Sequence, residues 1–251
     1  MELIEHPPIF RIPSIPDQVL YMWIVMGILL VVAVVSTRRL QMVPRGSQNF
    51  MEVVLEQFVN ELDETIGHGG RRYLPLIATL GLFILTSNLM GLVPGLIAPT
   101  ANLNTTAACA LIVFFTYHWI GVRKQGRVPY LKHFAGPVPT ALKPLMFVIE
   151  IISHCARPLS LSLRLFGNMM AGHILLAIFF FMMGLDGMLG WALSGSLGGI
   201  LIGAPAAAIL VVFVIGFLLP LKILVAVIQT FIFCKLAMLY IAAAVEETEH
   251  H

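Results

Sequence analysis

Between residues 140 and 183 the chain reads TALKPLMFVIEIISHCARPLSLSLRLFGNMMAGHILLAIFFFMM. As a single α-helix this segment would be about 65 Å long, at about 1.5 Å per residue, whereas the hydrocarbon core of a bilayer is about 30 Å thick. A second segment, about 200–244, is similarly long and apolar. The two segments therefore predict long helices that cross a membrane either broken or at a steep tilt, a geometry suited to wrapping around a partner.

A polar stripe follows the first long segment. Its members recur at helical spacing and so share one side of a helix. They are Glu150, Ser153, His154, Arg157, Ser160, Arg164 and Asn168. Arg164 lies among leucine and phenylalanine residues in the middle of the segment. A charged side chain at mid-membrane costs about 2.5–3.5 kcal/mol on insertion scales, so Arg164 is expected to face a partner or a water-filled cavity.

The composition of the whole chain agrees with a membrane protein. Of the 251 residues, 59% are hydrophobic and 11% are charged, whereas a soluble protein carries about 25% charged residues. A soluble fold of this length could not bury so much apolar surface, so lipid is the expected solvent. No basic cluster accompanies a soluble domain, which argues against nucleic acid as a partner. The separated residues Cys109, Cys155 and Cys234 predict buried thiols rather than disulfides or a metal site.

These patterns predict an all-α integral membrane fold with five crossings. One membrane domain, 18–251, follows an outer N-terminal segment, 1–17. The expected spans are about 18–37, 73–97, 105–122, 140–183 and 200–244. Residues 49–66 have apolar positions at helical spacing and acidic residues on the other faces.

The stretch 49–66 is therefore predicted to be an interfacial amphipathic helix, with Asn49 and Glu52 as a capping box and Gly67 at its end. A soluble helix that packs on a partner is the alternative.

The orientation follows from the positively charged residues beside the spans, which favour the cytoplasmic side. Two groups fall on the same side in a five-crossing chain. They are Arg38, Arg39, Arg45, Arg71 and Arg72, and, after the third span, Arg123, Lys124, Arg127 and Lys132. The N-terminus is therefore expected outside and the acidic tail in the cytoplasm.

The second long segment carries polar residues that match the stripe. Lys222 and Gln229 are seven residues apart and share a face of the predicted helix. The amide of Gln229 can donate and accept hydrogen bonds without carrying charge, so it can hold an arginine without neutralising it. Gln229 as a link between helices is the alternative. Lys235 lies closer to the cytoplasmic end and is predicted to snorkel.

The guanidinium of Arg164 has one chemical property that suits an ion path. It does not deprotonate at working pH, so it cannot relay protons, but it can pair with a carboxylate and keep it ionised. A fixed positive charge between two water-filled cavities would also block leakage between them. Glu150, His154, Asn168 and His173 could line such cavities, because carboxylates and imidazoles exchange protons readily.

Structural roles remain open for several of these residues. Arg164 could form an internal ion pair, and Arg157 could snorkel from its position nearer the cytoplasmic end. The hydroxyls of Ser153, Ser160 and Ser162 could bond back to their own helix.

Four stretches resemble a known family. Residues 158–173, PLSLSLRLFGNMMAGH, are similar to the signature of subunit a of F-type ATP synthases, of the bacterial type. Residues 229–233, QTFIF, resemble the second motif of that family. Residues 87–94 and 99–104 resemble family segments in the second and third spans. The resemblance covers about 20–245, and the arginine motif is its most specific part.

The resemblance implies a stator subunit that forms two offset half-channels against a c-subunit ring, in an ATP synthase that also contains b-type peripheral stalk subunits. It implies a bacterial inner membrane protein that translocates protons, holds no cofactor and catalyses no reaction by itself. No GxxxxGK[ST] motif is found in the sequence. Arg164 matches the essential arginine that faces the rotor carboxylate, and Gln229 the glutamine opposite it. Asn168 matches the outer half-channel, and Glu150 and Ser153 match the cytoplasmic one.

One departure from the family concerns the outer half-channel. Many members carry an acidic residue at the position of His173, of Lys222 or of both, and this chain has none there. His173 lies nine residues past Arg164, about half a turn round a straight helix, so it is expected to face a neighbouring helix rather than the rotor. Which group passes protons in this half-channel stays open at this point.

Two other functions are compatible with parts of the sequence. A stand-alone ion or solute transporter would also use a polar stripe with a central arginine, although no internal repeat supports it. An intramembrane serine protease would need Ser194 or Ser196 beside a histidine, but the chain has no GxSxG motif. His250 and His251 are a weak signal for a metal.

Overall fold

The computed structural model describes residues 16–38, 40–93, 95–126, 142–184 and 187–246, which are helical and contain no β-strand. The α-helices are α1 (Asp17–Thr37), α2 (Ser47–Ile66), α3 (Leu74–Met90), α4 (Leu103–Gln125), α5 (Lys143–Met183), α6 (Met188–Leu193), α7 (Ala204–Phe213) and α8 (Leu219–Glu246). Five helical stretches are long and apolar enough to span a membrane: Asp17–Thr37, Gly69–Met90, Leu103–Lys124, Lys143–Leu193 and Gly199–Val245. The five predicted spans are confirmed as long apolar helices.

The second span is shorter than predicted. Its helix α3 ends at Met90 rather than near residue 97. The N–H of Gly91 bonds back to the carbonyl of Ser87, and Gly95 takes a left-handed φ of 87° that a helix cannot continue.

The third span begins at Leu103, two residues before the predicted start near residue 105. Asn102 caps α4, because its side-chain oxygen accepts a hydrogen bond of 2.8 Å from the backbone N–H of Asn104.

The amphipathic segment forms α2, but its predicted start is wrong. The helix begins at Ser47 after Gly46, which has a φ of 61°, and no side chain caps it. Asn49 and Glu52 are therefore inside the helix and form no capping box. Glu52 instead accepts a 2.7 Å hydrogen bond from Gln48, which is buried. The position of α2 at a membrane interface stays a prediction.

The first long segment is a single helix. α5 has 41 residues and continues through Pro158, so it is about 60 Å long at about 1.5 Å per residue. Residues 140 and 141 of the predicted span lie outside the described residues.

The second long segment is also helical throughout, from Gly199–Gly203 through α7 and Val214–Leu218 into α8. The stretches before α7 and before α8 are π-helical turns, which are often found at functional sites. Both segments exceed the length that an upright span needs, and their steep tilt stays a prediction.

The main core lies where α3, α4, α5 and α8 meet. It includes Ile84, Tyr117, Leu165 and Phe233, all of them buried. Helix α2 packs against α3 and α8, while α1 packs on the end of α3 in a separate small cluster around Tyr21. This arrangement holds the middle of α5 against α8 and leaves long apolar side chains exposed on α1, α5 and α8.

Candidate functional site

Arg164 lies on an exposed side of α5. Its neighbours Leu161 and Leu165 are buried in the main core, which fixes the helix, while the arginine itself stays exposed. No carboxylate or hydrogen-bond acceptor in the described part of the chain pairs with its guanidinium. The internal ion pair that was the alternative interpretation is therefore not formed by these residues.

Gln229 lies on α8 and is buried, with 5% of its surface exposed. Its side-chain amide nitrogen has no hydrogen-bond partner within the ranges that the structure describes. Leu165, next to Arg164, and Phe233, one turn from Gln229, belong to the same buried cluster. The two helices thus bring the regions of Arg164 and Gln229 to the same part of the core, although the two side chains do not bond each other.

At the N-terminal end of α5, Glu150 and His154 form a pair. The Nε2 atom of His154 lies 3.1 Å from a carboxylate oxygen of Glu150. The other ring nitrogen of His154, Nδ1, lies 3.1 Å from the hydroxyl of Tyr117 on α4. Tyr117 has only 2% of its surface exposed, so the Tyr117 end of its contact with His154 is buried.

Three further side chains surround this pair. The ring of His118 lies edge-on to that of His154, with 5.3 Å between the centroids. The guanidinium carbon of Arg157 lies 5.4 Å from the centre of the Tyr240 ring on α8, so this side chain packs against α8. Tyr240 also lies 6.0 Å from the Tyr117 ring. We call Tyr117, His118, Glu150 and His154 the histidine cluster.

The three serines in this part of α5 differ in their hydrogen bonds and exposure. Ser162 donates a 3.0 Å hydrogen bond to the carbonyl of Leu159, so the structural role considered for it is confirmed. Ser153 and Ser160 are exposed on α5. Both remain available to a partner or to water.

At the C-terminal half of α5, His173 packs against Gly91, the residue that follows α3. A methyl group on Gly91 would lie 2.7 Å from Nε2 of His173, so only glycine leaves room for the ring. The predicted orientation of His173 toward a neighbouring helix agrees with this contact. The end of the Lys222 side chain lies in the same way against Gly172, and Asn168 is half-buried one turn nearer to Arg164.

The loop that follows α3 is tied to α8 by hydrogen bonds. Buried Thr100 donates a 2.7 Å bond to the side-chain oxygen of Asn88, and the amide nitrogen of Asn88 lies 3.4 Å from the hydroxyl of Thr230. Thr230 is the neighbour of Gln229 in the sequence. These bonds hold the part of α8 that carries Gln229.

Lys235 has counter-charges on α2. Its ammonium group forms a 2.6 Å ion pair with Glu61 and lies 3.6 Å from Glu64, and its snorkelling stays a prediction. The amphipathic helix thus supplies the counter-charges for α8.

The serine protease interpretation finds no support. Ser194 donates to the carbonyl of Trp191, and its oxygen lies 3.2 Å from that of Ser196. Neither serine contacts a histidine in the described ranges. His250 and His251 lie outside those ranges.

Sequence reasoning missed several residues of the site, namely Tyr117, His118, Gly91 and Asn88. Adjacent tyrosine and histidine inside the otherwise apolar third span were a usable signal. No feature of the sequence indicated that Gly91 contacts His173, because the contact depends on how the loop after α3 packs against α5.

Comparison with known proteins identifies a family. A model described as ATP synthase A chain matches residues 19–242. The chain is 47% identical over 231 residues to ATP synthase subunit a of Geobacter sulfurreducens, covering 92% of this chain and 88% of that protein. ATP synthase subunit a 1 of Pelobacter propionicus and ATP synthase subunit a of Trichlorobacter lovleyi are 47% and 46% identical, with the same two coverages.

Proposed function

Because this chain belongs to the ATP synthase subunit a family, the proton-translocating membrane subunit of that complex, we propose that Arg164 separates two offset half-channels formed against a rotor ring. It is a multi-pass membrane protein. The complex is the enzyme, and this chain contributes the ion path rather than a nucleotide site.

The observation that supports this role is the position of Arg164. An exposed guanidinium in the middle of an apolar helix, without a carboxylate partner in the described residues, needs a counter-charge from elsewhere. A carboxylate on the rotor ring supplies it as the ring turns. The arginine keeps that carboxylate ionised while it passes, and repels protons that would otherwise cross directly between the half-channels.

The two half-channels lie on either side of Arg164 along α5. Glu150 and Ser153 line the cytoplasmic half-channel, with His154, Arg157 and Ser160 as supporting residues. Asn168, His173 and Lys222 line the outer half-channel, and Gln229 faces the arginine. Glu150 is 14 residues and His173 nine residues from Arg164, or about 21 Å and 14 Å along the helix.

The partners are a c-subunit ring, b-type peripheral stalk subunits and the remainder of the ATP synthase. Exposed apolar side chains on α5 and α8 beside Arg164 suit the ring, and those on α1, such as Trp23 and Leu30, suit the stalk or lipid. A stand-alone transporter is not favoured, because it offers no carboxylate to Arg164.

The orientation has the N-terminus outside and the C-terminus in the cytoplasm of a bacterial inner membrane. The supporting observation is the set of arginines and lysines at the ends of α1, α3 and α4 that share one side. Single cysteines placed near residues 5 and 249, in a background without the native cysteines, should react with an impermeant reagent from opposite sides. Labelling of both from one side contradicts five crossings.

The test of the central role is Arg164→Ala in membranes that contain the whole complex. We expect ATP-driven proton pumping and proton-driven ATP synthesis to be abolished together, with a passive proton leak because the barrier is gone. Arg164→Lys should also fail to couple, with less leak, because the ammonium keeps the charge but lacks the guanidinium geometry.

The matched control is Arg157→Ala, which removes the arginine seven residues before Arg164 on α5. The guanidinium of Arg157 stacks on Tyr240. We expect this variant to retain most of the coupled rate, because Arg157 lies off the path of the ion. Coupled ATP synthesis near the normal rate in Arg164→Ala membranes would refute the proposed role.

A further inference from the structure

The histidine cluster joins two helices at the level of the cytoplasmic half-channel. Tyr117 and His118 lie on α4, about 9 Å along the helix from the basic residue Arg123, at about 1.5 Å per residue. Glu150 and His154 lie on α5 directly across from them, with both 3.1 Å contacts meeting at the His154 ring. Nothing in the motif around Arg164 includes the two α4 residues.

The contacts determine how the His154 ring is protonated. An ionised Glu150 only accepts hydrogen bonds, so Nε2 of His154 must carry a proton. Nδ1 of a neutral ring then accepts a hydrogen bond from the Tyr117 hydroxyl. When the ring is an imidazolium, Nδ1–H donates to the same hydroxyl oxygen, because a tyrosine hydroxyl both donates and accepts.

Tyr117 therefore supports His154 in each protonation state that a proton transfer requires. In the transfer, the imidazolium gives its Nε2 proton to the Glu150 carboxylate, leaving a neutral imidazole and a carboxylic acid, and Nδ1 keeps its proton bonded to the Tyr117 oxygen. One proton moves, and no other bond changes. Water on either side of the pair then reloads the imidazole and unloads the acid.

The geometry points to His154 as a proton-relay residue that exchanges with Glu150, and to Tyr117 on α4 as the positioning residue that holds the His154 ring for this exchange. This inference rests on the proposed cytoplasmic half-channel and deepens it. Among the residues that the structure describes, Arg157 on α5 and His118 on α4 are further charged or titratable groups beside His154, and Tyr240 of α8 lies behind them.

His118 is a neighbour of the relay rather than a member of the exchange. Its Nδ1 lies 3.0 Å from the carbonyl oxygen of Phe114, which can only accept, so Nδ1 carries a proton that is held by its own helix. Its ring packs edge-on against His154. The ring of His118 thereby limits rotation of the His154 ring.

A purely structural role for the histidine cluster predicts a different effect of replacing His154 than a proton relay does. If His154 only links helices, any side chain that makes the same two hydrogen bonds should replace it. Glutamine can donate to Glu150 and accept from Tyr117, but it does not titrate. His154→Gln therefore preserves a link between helices and removes a relay.

The experiment compares ATP-driven proton pumping in vesicles that contain the complete complex, with rates divided by the amount of assembled complex. We expect His154→Gln to be as slow as His154→Ala. Tyr117→Phe, which keeps the ring and removes the hydroxyl, should pump about five-fold more slowly, the change that corresponds to one hydrogen bond. The matched control Tyr240→Phe should pump at the wild-type rate, because the Tyr240 hydroxyl forms no hydrogen bond to the described residues.

The outcomes separate this inference from the proposed function. Wild-type pumping by His154→Gln, or by Tyr117→Phe, overturns the relay while Arg164→Ala still abolishes coupling. Coupled synthesis in Arg164→Ala instead overturns the half-channel function itself. If Tyr117→Phe fails to assemble, the comparison of His154→Gln with His154→Ala decides: a fast glutamine variant refutes the relay, and a slow one supports it.

Discussion

The polar residues in the two halves of α5 meet different neighbours. N-terminal to Arg164, His154 is hydrogen-bonded on both ring nitrogens, to Glu150 and to Tyr117. C-terminal to Arg164, His173 rests against the bare backbone of Gly91, and Lys222 lies against the adjacent Gly172. The spacing of a helix therefore determines which side chains share a face, while the neighbouring helix determines what chemistry they can perform.

This difference bears on how protons leave each half. An imidazole and a carboxylate can exchange a proton and remain neutral or paired, so the N-terminal half can transfer protons between its own groups. An imidazole and an ammonium cannot both be charged in a low-dielectric medium without repulsion. The C-terminal half is therefore expected to exchange protons through only one of its two basic groups at a time.

The largest expected effect on the C-terminal half of α5 comes from filling the space beside His173. In Gly91→Ala the new methyl group would lie 2.7 Å from both the Cβ of Ala98 and Nε2 of His173, so the loop after α3 must move. Overpacking of this kind costs about 1–3 kcal/mol. We expect a lower melting temperature of the purified complex and the loss of most proton flux, measured in the same preparation.

Gly172→Ala is the matched control, because its methyl group meets the flexible end of Lys222 at 2.8 Å rather than a ring or a Cβ. The lysine can move aside, so the effect on both measurements should be clearly smaller. If the two variants lose the same stability, the close contact of His173 with Gly91 is not what shapes this half of the site.

Much of the fold was predictable because the lipid environment restricts the choices. Five apolar stretches follow from hydropathy. The sequence left open whether the two long segments break, and α5 is uninterrupted. The boundaries that failed depend on single backbone conformations. The second span stops at Met90, where Gly91 caps α3, and α2 starts after Gly46, two residues before the proposed cap at Asn49.

The site was predictable only within single helices, α5 and α8. The stripe from Glu150 to Asn168 is a property of one helix, so its spacing reveals it. The residues that contact site residues from other helices follow no spacing that a sequence pattern could reveal. The ion pair of Lys235 with Glu61 joins residues 174 positions apart, and the contact of Tyr117 with His154 joins residues 37 apart. Such contacts depend on how the helices pack, which a single sequence does not specify.

The smallest expected effect distinguishes the two basic groups of the C-terminal half. His173→Ala should slow proton flux through the rotor more than Lys222→Ala does, because a neutral imidazole accepts a proton on one ring nitrogen and donates one from the other, whereas an ammonium must first lose a proton. The ring of His173 also fills the space beside Gly91, so His173→Gln, which keeps most of that volume, separates lost packing from lost proton exchange. Flux is measured as the rate of acidification of vesicles that contain the complete complex. A slow His173→Gln variant supports exchange by the imidazole, as at His154. Equal and negligible losses in His173→Ala and Lys222→Ala would mean that water and Asn168 suffice in this half, so that only the N-terminal half of α5 relays protons through its own side chains.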